Sequence, residues 1–598
     1  MSIWQKAVET YDCHSALAGV PDAARLILLP ISHILQNSSI EITLDEYGEF
    51  LDASAGDEKI IIPATERSAG RSGTTLCPHP LSDQLQYTAP YGQERYRLYL
   101  KQLRAWAESE FSHPKIRAVL AYVERGTIVE DLADCEVIKL DEDGRPLGKY
   151  NKSMIRWRVV NTGDRDACYE DKSLFDSFIG YYRSVQSGSP KELCMITGRE
   201  DRITESHPKG TIASAYGAKL ISANDSSNFT FRGRFTDSHQ AATIGYESSQ
   251  EAHNALAWVA ANQGVFIGDR TFVCWDPKGG NVPLRESGVL RAKAPSEDSP
   301  RDPAAYKEDL RKVLNGWRAE LPENDDVVIA VFDAATTGRL SITYYNEIKG
   351  SDFLDRIAFW QNHCFWENGK YGYQSPSIYD IVGCAYLTQS GGKFKASESE
   401  KKLLREQAQR MLHCVVDGAA IPKDIVITLT HRASTPLAYD KAGRSRLLFT
   451  ACAVIYAYKT VTKKEEWKMS LEKDKNDRSY QFGRLLAVME KAERDTYDAK
   501  DTRDPNAIRM QSVFCERPMY AAGIIHDRLN PYFARLSPGN RSYYKHLIGE
   551  IFENLSKFDM SELNRPLTES YLLGYYLQRN DLYRSNKNNT SDNKEEEK

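Results

Sequence analysis

The sequence predicts an α+β protein, with a mixed strand and helix N-terminal region followed by a mostly helical C-terminal region that ends in a small helical bundle. Three observations predict it. Segments in which apolar and polar residues alternate with a period of two all lie before about residue 350. From about Ser375 onward the period lengthens to that of a helix. The chain is 598 residues long with 41% hydrophobic residues, and no run approaches the roughly 18 apolar residues of a membrane span, so it reads as a soluble protein of several domains. The expected division is a mixed α/β region over 1–370, a helical connecting region over 371–468, a C-terminal bundle over 469–580 and a disordered polar tail over 581–598.

The elements follow in order. "MSIWQKAVETYDCHSALAGV" is amphipathic, with Ile3, Trp4, Ala7 and Val8 on one face, and has no basic region followed by an apolar one, so no secretion signal is expected. "SIEITLDEYGEFLDA" reads as two alternating strands around Gly48, and "SMIRWRVV" alternates Ile155, Trp157 and Val159 with Arg156 and Arg158. A strand over 219–223 should run into a polar loop, followed by a helix from about Ser249 to Gln263. "VVIAVFDAATTGRLSITYYNE" reads as a hairpin with strands at about 327–333 and 340–346 and Gly338 in its turn. "SDFLDRIAFWQNHCFW" repeats Phe353, Ile357, Trp360 and Cys364 at helical spacing, and "SESEKKLLREQAQRMLHCVV" and "SRLLFTACAVIYAYKT" have helical length and period. The polar stretch "TKKEEWKMSLEKDKNDRS" separates these from a last set of helices over roughly 480–580, where Phe482, Leu485, Leu486 and Met489 share a face. The tail "RSNKNNTSDNKEEEK" is too polar to order itself.

Several stretches carry chemistry. "ATERSAGRSGTTLCPHPLSDQLQY" lacks the GxxxxGK[ST] of a phosphate loop: Gly73 precedes Thr74 rather than lysine, and Pro78 and Pro80 oppose entry into a helix. Its Arg67, Ser68, Arg71, Ser72 and Thr74, on a backbone made compact by Gly70, are groups that can approach DNA phosphates and base edges. In the loop after 223, Asn224, Asn228, Arg232 and Arg234 stand beside Phe229 and Phe231, a mixture suited to base stacking and backbone contact, although composition alone favours packing of the phenylalanines into the core. Cys194 and His207 suggest a thiol nucleophile or half a zinc site, and His526-Asp527 begins a metal-dependent phosphohydrolase pattern, but neither has further partners in sequence.

Eleven scattered cysteines without a CxxC pair argue for reduced thiols in a cytoplasm, with no disulfide and no structural zinc expected. Lys plus Arg at 78 against Asp plus Glu at 83 leaves a net charge of −5, which excludes a general DNA binder with a basic surface and makes any nucleic-acid contact local.

The stretches "RSAG…LSDQLQY", "CMITG…I…HP", "GAKLISAN", "SSQEAHNALAW", "FDAATTGRLSITYYNE", "YQFGRLLAVMEKAE", "YFARLSP" and "LLGYYLQR" together resemble, along nearly the whole chain, the Csd-type large subunit of the type I-C CRISPR surveillance complex, Cascade. The resemblance implies a subunit with no catalytic site, metal or cofactor of its own. Such a subunit sits at the 5′ end of the guide crRNA beside the cap and backbone subunits, binds the protospacer-adjacent motif in target double-stranded DNA, helps open the duplex for R-loop formation and recruits a separate helicase-nuclease. Guide pairing supplies the long sequence specificity, so the protein needs only a short reader and a wedge. The expected contacts are Arg67–Thr74 on the motif duplex and Asn224–Arg234 on phosphates or flanking bases. In such proteins the C-terminal bundle resembles the Cascade small subunit and is also made separately from the same gene. A start near Met469 would keep that bundle whole, whereas Met489 would halve its first helix. The rival readings are a metal-dependent nuclease built on His526-Asp527, a thiol enzyme built on Cys194 and His207, and a pure protein scaffold.

Overall fold

The computed structural model describes every residue except 1, 22–25, 72–74, 213–216, 222–241, 293–299, 337, 499 and 596–598, with the backbone alone at 335–336 and 585–595. It is α+β, with sheets in the N-terminal part and mostly helix in the C-terminal part. The chain folds into two compact units: Met1–Gly264 with Thr271–Gly280 and Asp326–Glu347 form one, and Val265–Arg270, Asn281–Asp325 and Ile348–Lys598 the other. The sequence predicts boundaries near 370, 468 and 580; the two units are instead discontinuous, because a hairpin returns to the first unit after residue 325.

In the first unit, β1 (His33–Leu44) and β2 (Phe50–Pro63) form the antiparallel hairpin expected around Gly48, and β3 (Ile155–Val159) pairs in parallel with β1 from Ile40↔Ile155 to Leu44↔Val159. Gly48 has φ 84° and a Cβ there would lie 2.4 Å from the Ala118 carbonyl oxygen, so only glycine closes this turn. Ile40, Ile42 and Leu44 join Ile155, Trp157 and Val159 in the core. On the other face Glu41 accepts from Arg156 at 2.9 Å, Arg158 at 3.3 Å and Tyr169 at 2.8 Å, so the strand arginines are spent within the sheet. Helices α1 (Ile3–His14), α2 (Glu94–Ala107), α3 (Pro114–Arg125), α4 (Lys172–Gln186) and α5 (Tyr246–Gln263) bury Tyr11, Trp106, Tyr122, Phe178 and Leu256 in the same core. A short hairpin, β4 (Lys191–Leu193) and β5 (Glu200–Arg202), follows α4. Strands β6 (Arg270–Trp275), β7 (Asp326–Thr336) and β8 (Arg339–Lys349) lie side by side, and the last two are the expected hairpin with Gly338 between them. At 219–223 the expected strand is not formed among the described residues: Lys219 makes only isolated bridges, and 222–223 lie outside them.

In the second unit the principal helices are α6 (Pro303–Glu320), α7 (Gly350–His363), α8 (Ile378–Tyr386), α9 (Lys401–Val416), α10 (Lys423–Ala433), α11 (Lys441–Ala457), α12 (Arg478–Arg494), α13 (Pro518–Phe533), α14 (Pro538–Leu555) and α15 (Ser570–Glu595). The first helix of the expected bundle, α12, is buried from Ser479 to Glu493 on every face, not only along the Phe482–Met489 stripe. Its polar residues are paired inside: Arg484 donates to Gln578 at 3.0 Å and Glu550 at 2.9 Å, while Glu490 accepts from Tyr575 and from Arg494 at 3.1 Å. Gly483 and Gly574 let α12 and α15 touch backbone to backbone, since a Cβ at Gly483 would lie 1.9 Å from the Tyr571 oxygen and one at Gly574 2.1 Å from the Tyr480 oxygen. The polar linker is tied down, with Gln481 donating to the Lys473 and Lys475 carbonyls at 2.9 and 2.8 Å. Helix α15 runs past residue 581, where the tail was expected to begin; Leu582 is buried and Arg584 pairs with Glu367 at 2.9 Å.

Two predictions follow from this packing. Gly574→Ala forces the α12–α15 contact apart and should lower stability by about 1–3 kcal/mol or more, whereas Gly549→Ala, on the exposed side of α14 with nothing within 4 Å of a Cβ, should raise it by up to about 1 kcal/mol; urea unfolding of the two variants gives the comparison. In the first unit, burial pushes His33, His79 and His253 down to about 4 and His207 down to about 3. These groups stay neutral in the folded chain while the unfolded chain takes up protons below about 6.5, so the stability they contribute is present at neutral pH and is lost as pH falls from about 6.5 toward about 4. Each histidine should add up to about 1.4 kcal/mol per pH unit to that slope. Thermal midpoints between pH 7.5 and 5 should fall steeply, and His79→Gln should flatten the fall; a flat profile in the parent protein contradicts the assignment.

Candidate nucleic-acid interface

The glycine-rich stretch begins where β2 ends. Thr65 caps the short helix Glu66–Ala69 by accepting from the Ser68 N–H at 3.1 Å, and the Ser68 hydroxyl accepts from the Thr65 N–H at 2.9 Å. Ser68 is buried, its hydroxyl 3.1 Å from Nδ1 of buried His79. Arg71 points inward: its guanidinium donates to both oxygens of Asp83 at 2.8 Å and to the Cys77 carbonyl at 3.0 Å, and lies 4.6 Å from the centre of the Tyr87 ring. Burial works against the Arg71 charge, and the bond to Asp83 outweighs it, raising its pKa. Asp83, with no exposed surface, also accepts from the N–H groups of His79 and Gln84 at 2.7 Å each. The Asp83 carbonyl receives the Ile155 N–H of β3 at 2.9 Å, so the loop is fastened to the sheet.

Arg67 and Gly70 are on the surface, and Arg67 makes no ion pair among the described residues. Beside them lies the segment after β4: Glu66 accepts from Arg202 at 2.8 Å, from the Thr204 hydroxyl and from the Ser206 N–H at 3.3 Å, and a Cβ on Gly70 would lie 3.8 Å from the Ser206 hydroxyl. Arg202 also stacks 4.3 Å from the centre of the Tyr246 ring at the start of α5. Of the sequence-predicted contacts, then, Arg67 and Gly70 form an exposed edge, and Ser68 and Arg71 serve beneath it. Ser72, Thr74, Asn224, Asn228, Arg232 and Arg234 lie outside the described residues. Asp83, Glu66 and Arg202 were missed, although Asp83 stands in the quoted "LSDQLQY" and the bond it makes to Arg71 spans the run of small residues that drew attention to the loop.

The candidate chemical groups lie elsewhere. Buried Cys194 accepts at its Sγ from the Gly245 N–H at 3.2 Å; burial opposes its thiolate, but the N–H groups of Gly245, Thr197 and Ile196 outweigh burial and lower its pKa. His207 instead bonds Ser249, Nδ1 to Oγ at 2.9 Å, so the two are engaged with different partners. His526 and Asp527 are both exposed on α13, and among the described residues no group of three or more His, Cys, Asp or Glu is placed to hold a metal ion. No helix among the described residues is long and apolar enough to cross a membrane.

Residues 8–583 match the family described as CRISPR-associated protein (Cas_Csd1), and the chain belongs to that family, consistent with a type I-C Cascade large subunit. No curated protein matches the chain.

The two arginines of the loop should part company in experiment. Arg71→Ala leaves the Asp83 carboxylate buried and unpaired and should destabilise the free protein by about 3–5 kcal/mol, whereas Arg67→Ala should stay within about 0.5 kcal/mol of the parent. Thermal or denaturant unfolding of the chain alone reads the difference.

Proposed function

We propose that this protein is the non-catalytic large subunit of an RNA-guided CRISPR interference complex, one that reads the protospacer-adjacent motif in duplex DNA, helps open the duplex and recruits a helicase-nuclease in trans. The family match over nearly the whole chain carries the reading. The exposed Arg67–Gly70 edge, held on a fixed backbone, supports it physically: a short rigid reader suffices when base pairing with crRNA supplies the rest of the specificity. A bidentate contact from Arg67 to a base discriminates by about 1–3 kcal/mol. The Asn224–Arg234 loop remains the second contact of the proposal. Its partners are the guide, the backbone and cap subunits and a small subunit made from the same gene in the cytoplasm.

For that small subunit the packing of α12 favours a start near Met469. Gly483, Arg484 and the Gln481 bonds to the linker all precede Met489, which is itself buried in the middle of α12. Intact mass of the co-purified small protein should correspond to a start near residue 469; a start at 489 contradicts it.

The reading is tested by duplex binding of the guide-loaded complex, assembled with and without this chain, on targets that differ only in the few base pairs flanking the match. The expected result is flank dependence only when the chain is present, weakened by Arg67→Ala and Asn224→Ala at raised salt. Binding that ignores the flank makes the protein a scaffold. Metal-dependent cleavage of a labelled duplex by the isolated chain, lost on His526→Ala, supports the nuclease reading instead.

A further inference from the structure

Three cationic residues are joined by backbone bridges and linked to the Arg67–Gly70 edge through Glu66, which accepts from the Ser206 N–H and acts on Lys219. Lys209 and Lys219 face each other in an isolated antiparallel bridge, and Lys219 pairs in parallel with Arg339 at the start of β8. The Lys219 N–H donates to the Gly338 carbonyl at 3.3 Å and the Leu340 N–H to the Lys219 carbonyl at 3.1 Å, which fixes that register. Bridge partners project to the same side of a sheet, and neighbouring strands are spaced by about 4.8 Å, so the row is about 10 Å from end to end.

Like charges directly opposite one another destabilise a sheet. Here the chain places two lysines opposite one another, one exposed and one half-buried, and neither side chain makes a hydrogen bond or ion pair among the described residues. Burial of Lys219 and the Lys209 charge both lower its pKa. Among the described residues Glu66 is the carboxylate acting against them, and it already accepts from Arg202, Thr204 and Ser206. An anion with several charges at regular spacing resolves this arrangement, and a nucleic-acid strand, with one phosphate per about 3.4 Å of helix axis, offers roughly three along the row.

We propose that Lys209, Lys219 and Arg339 form a phosphate-binding row that holds the sugar-phosphate backbone of the target duplex next to the Arg67–Gly70 edge. The assignment rests on the nucleic-acid reading above and deepens it: the row supplies position and salt-sensitive affinity, while the edge beside it supplies sequence. The target duplex is favoured over the guide because Glu66 ties residues 202–206, just before Lys209, to the helix that carries Arg67.

The experiment is the salt dependence of duplex binding by the guide-loaded complex carrying K209A/K219A. The magnitude of the slope of log K against log salt should fall by about 1.8, two phosphates at about 0.9 each, with the loss equal on matched and altered flanks; K209R/K219R should keep the parental slope. Removing the repulsion should leave the thermal midpoint of the variant equal or higher, and K209Q/K219Q provides the same test should the alanine pair fail to fold. A parental slope in the neutral variants overturns the row while flank dependence of the parent complex still upholds the function. Loss of guide RNA from the complex with an unchanged DNA slope assigns the row to the guide and overturns it as stated. Absence of any flank or chain dependence in the parent complex is the separate failure of the functional reading itself.

Discussion

The candidate interface depends on one buried carboxylate. Asp83 has no contact with water, and a charge in that position costs several kcal/mol unless its oxygens are satisfied. Four donors do so: two from Arg71 and the N–H groups of His79 and Gln84. Because the Asp83 carbonyl also takes the Ile155 N–H, and the Leu81 carbonyl takes Tyr99 at 2.5 Å and Trp157 at 3.2 Å, the loop inherits the rigidity of the sheet beneath it. Pinned through Arg71 and Asp83, the described residues before 72 can present Arg67 in a fixed direction.

The helical unit solves a different problem by different means. Helix α12 has no solvent face, so its charged residues must find partners inside, and Arg484 and Glu490 do. The partners on α15 come within reach because glycines remove the side chains that would hold the two helices apart. Close backbone approach and buried polar pairing are therefore coupled: widening the gap by one methyl group would lengthen several charge-assisted bonds at once. Asp477 contributes at the end of the contact, accepting from the Tyr480 N–H at 2.8 Å and from Ser570 at 2.9 Å, so both helices start from one carboxylate.

Much of this architecture was legible in the residues. Period-two alternation located the hairpins around Gly48 and Gly338 and the strand of Trp157, and helical period located α5, α7, α9 and α11. The discontinuous unit boundary was not legible, because the return of β7 and β8 to the first unit is a long-range pairing with no local signature. Nor was the buried perimeter of α12: its Arg484 and Glu490 look like a solvated face until their partners Glu550, Tyr575 and Gln578, far along the chain, are placed against them. At the candidate site the same limitation exchanged two roles. Arg71 has the composition of a reader and the position of a strut, and Arg67, identical in type and four residues earlier, has the exposed position.

That exchange explains how a chain with a net charge of −5 can be proposed to grip a polyanion. What matters to a phosphate is the charge left over after internal pairing, and a residue count does not record pairing. Arg71, Arg156 and Arg202 are each held by a carboxylate and add little to the field outside. Arg67, Lys209 and Lys219 have no carboxylate in contact with them among the described residues, and the one that acts on Lys219 is shared with Arg202. On the proposed reading, a small set of uncompensated cations on a fixed backbone would give a local field at one edge while the remainder of an acidic surface repels DNA, which would confine a weak, sequence-blind attraction to the place where a short motif is to be read.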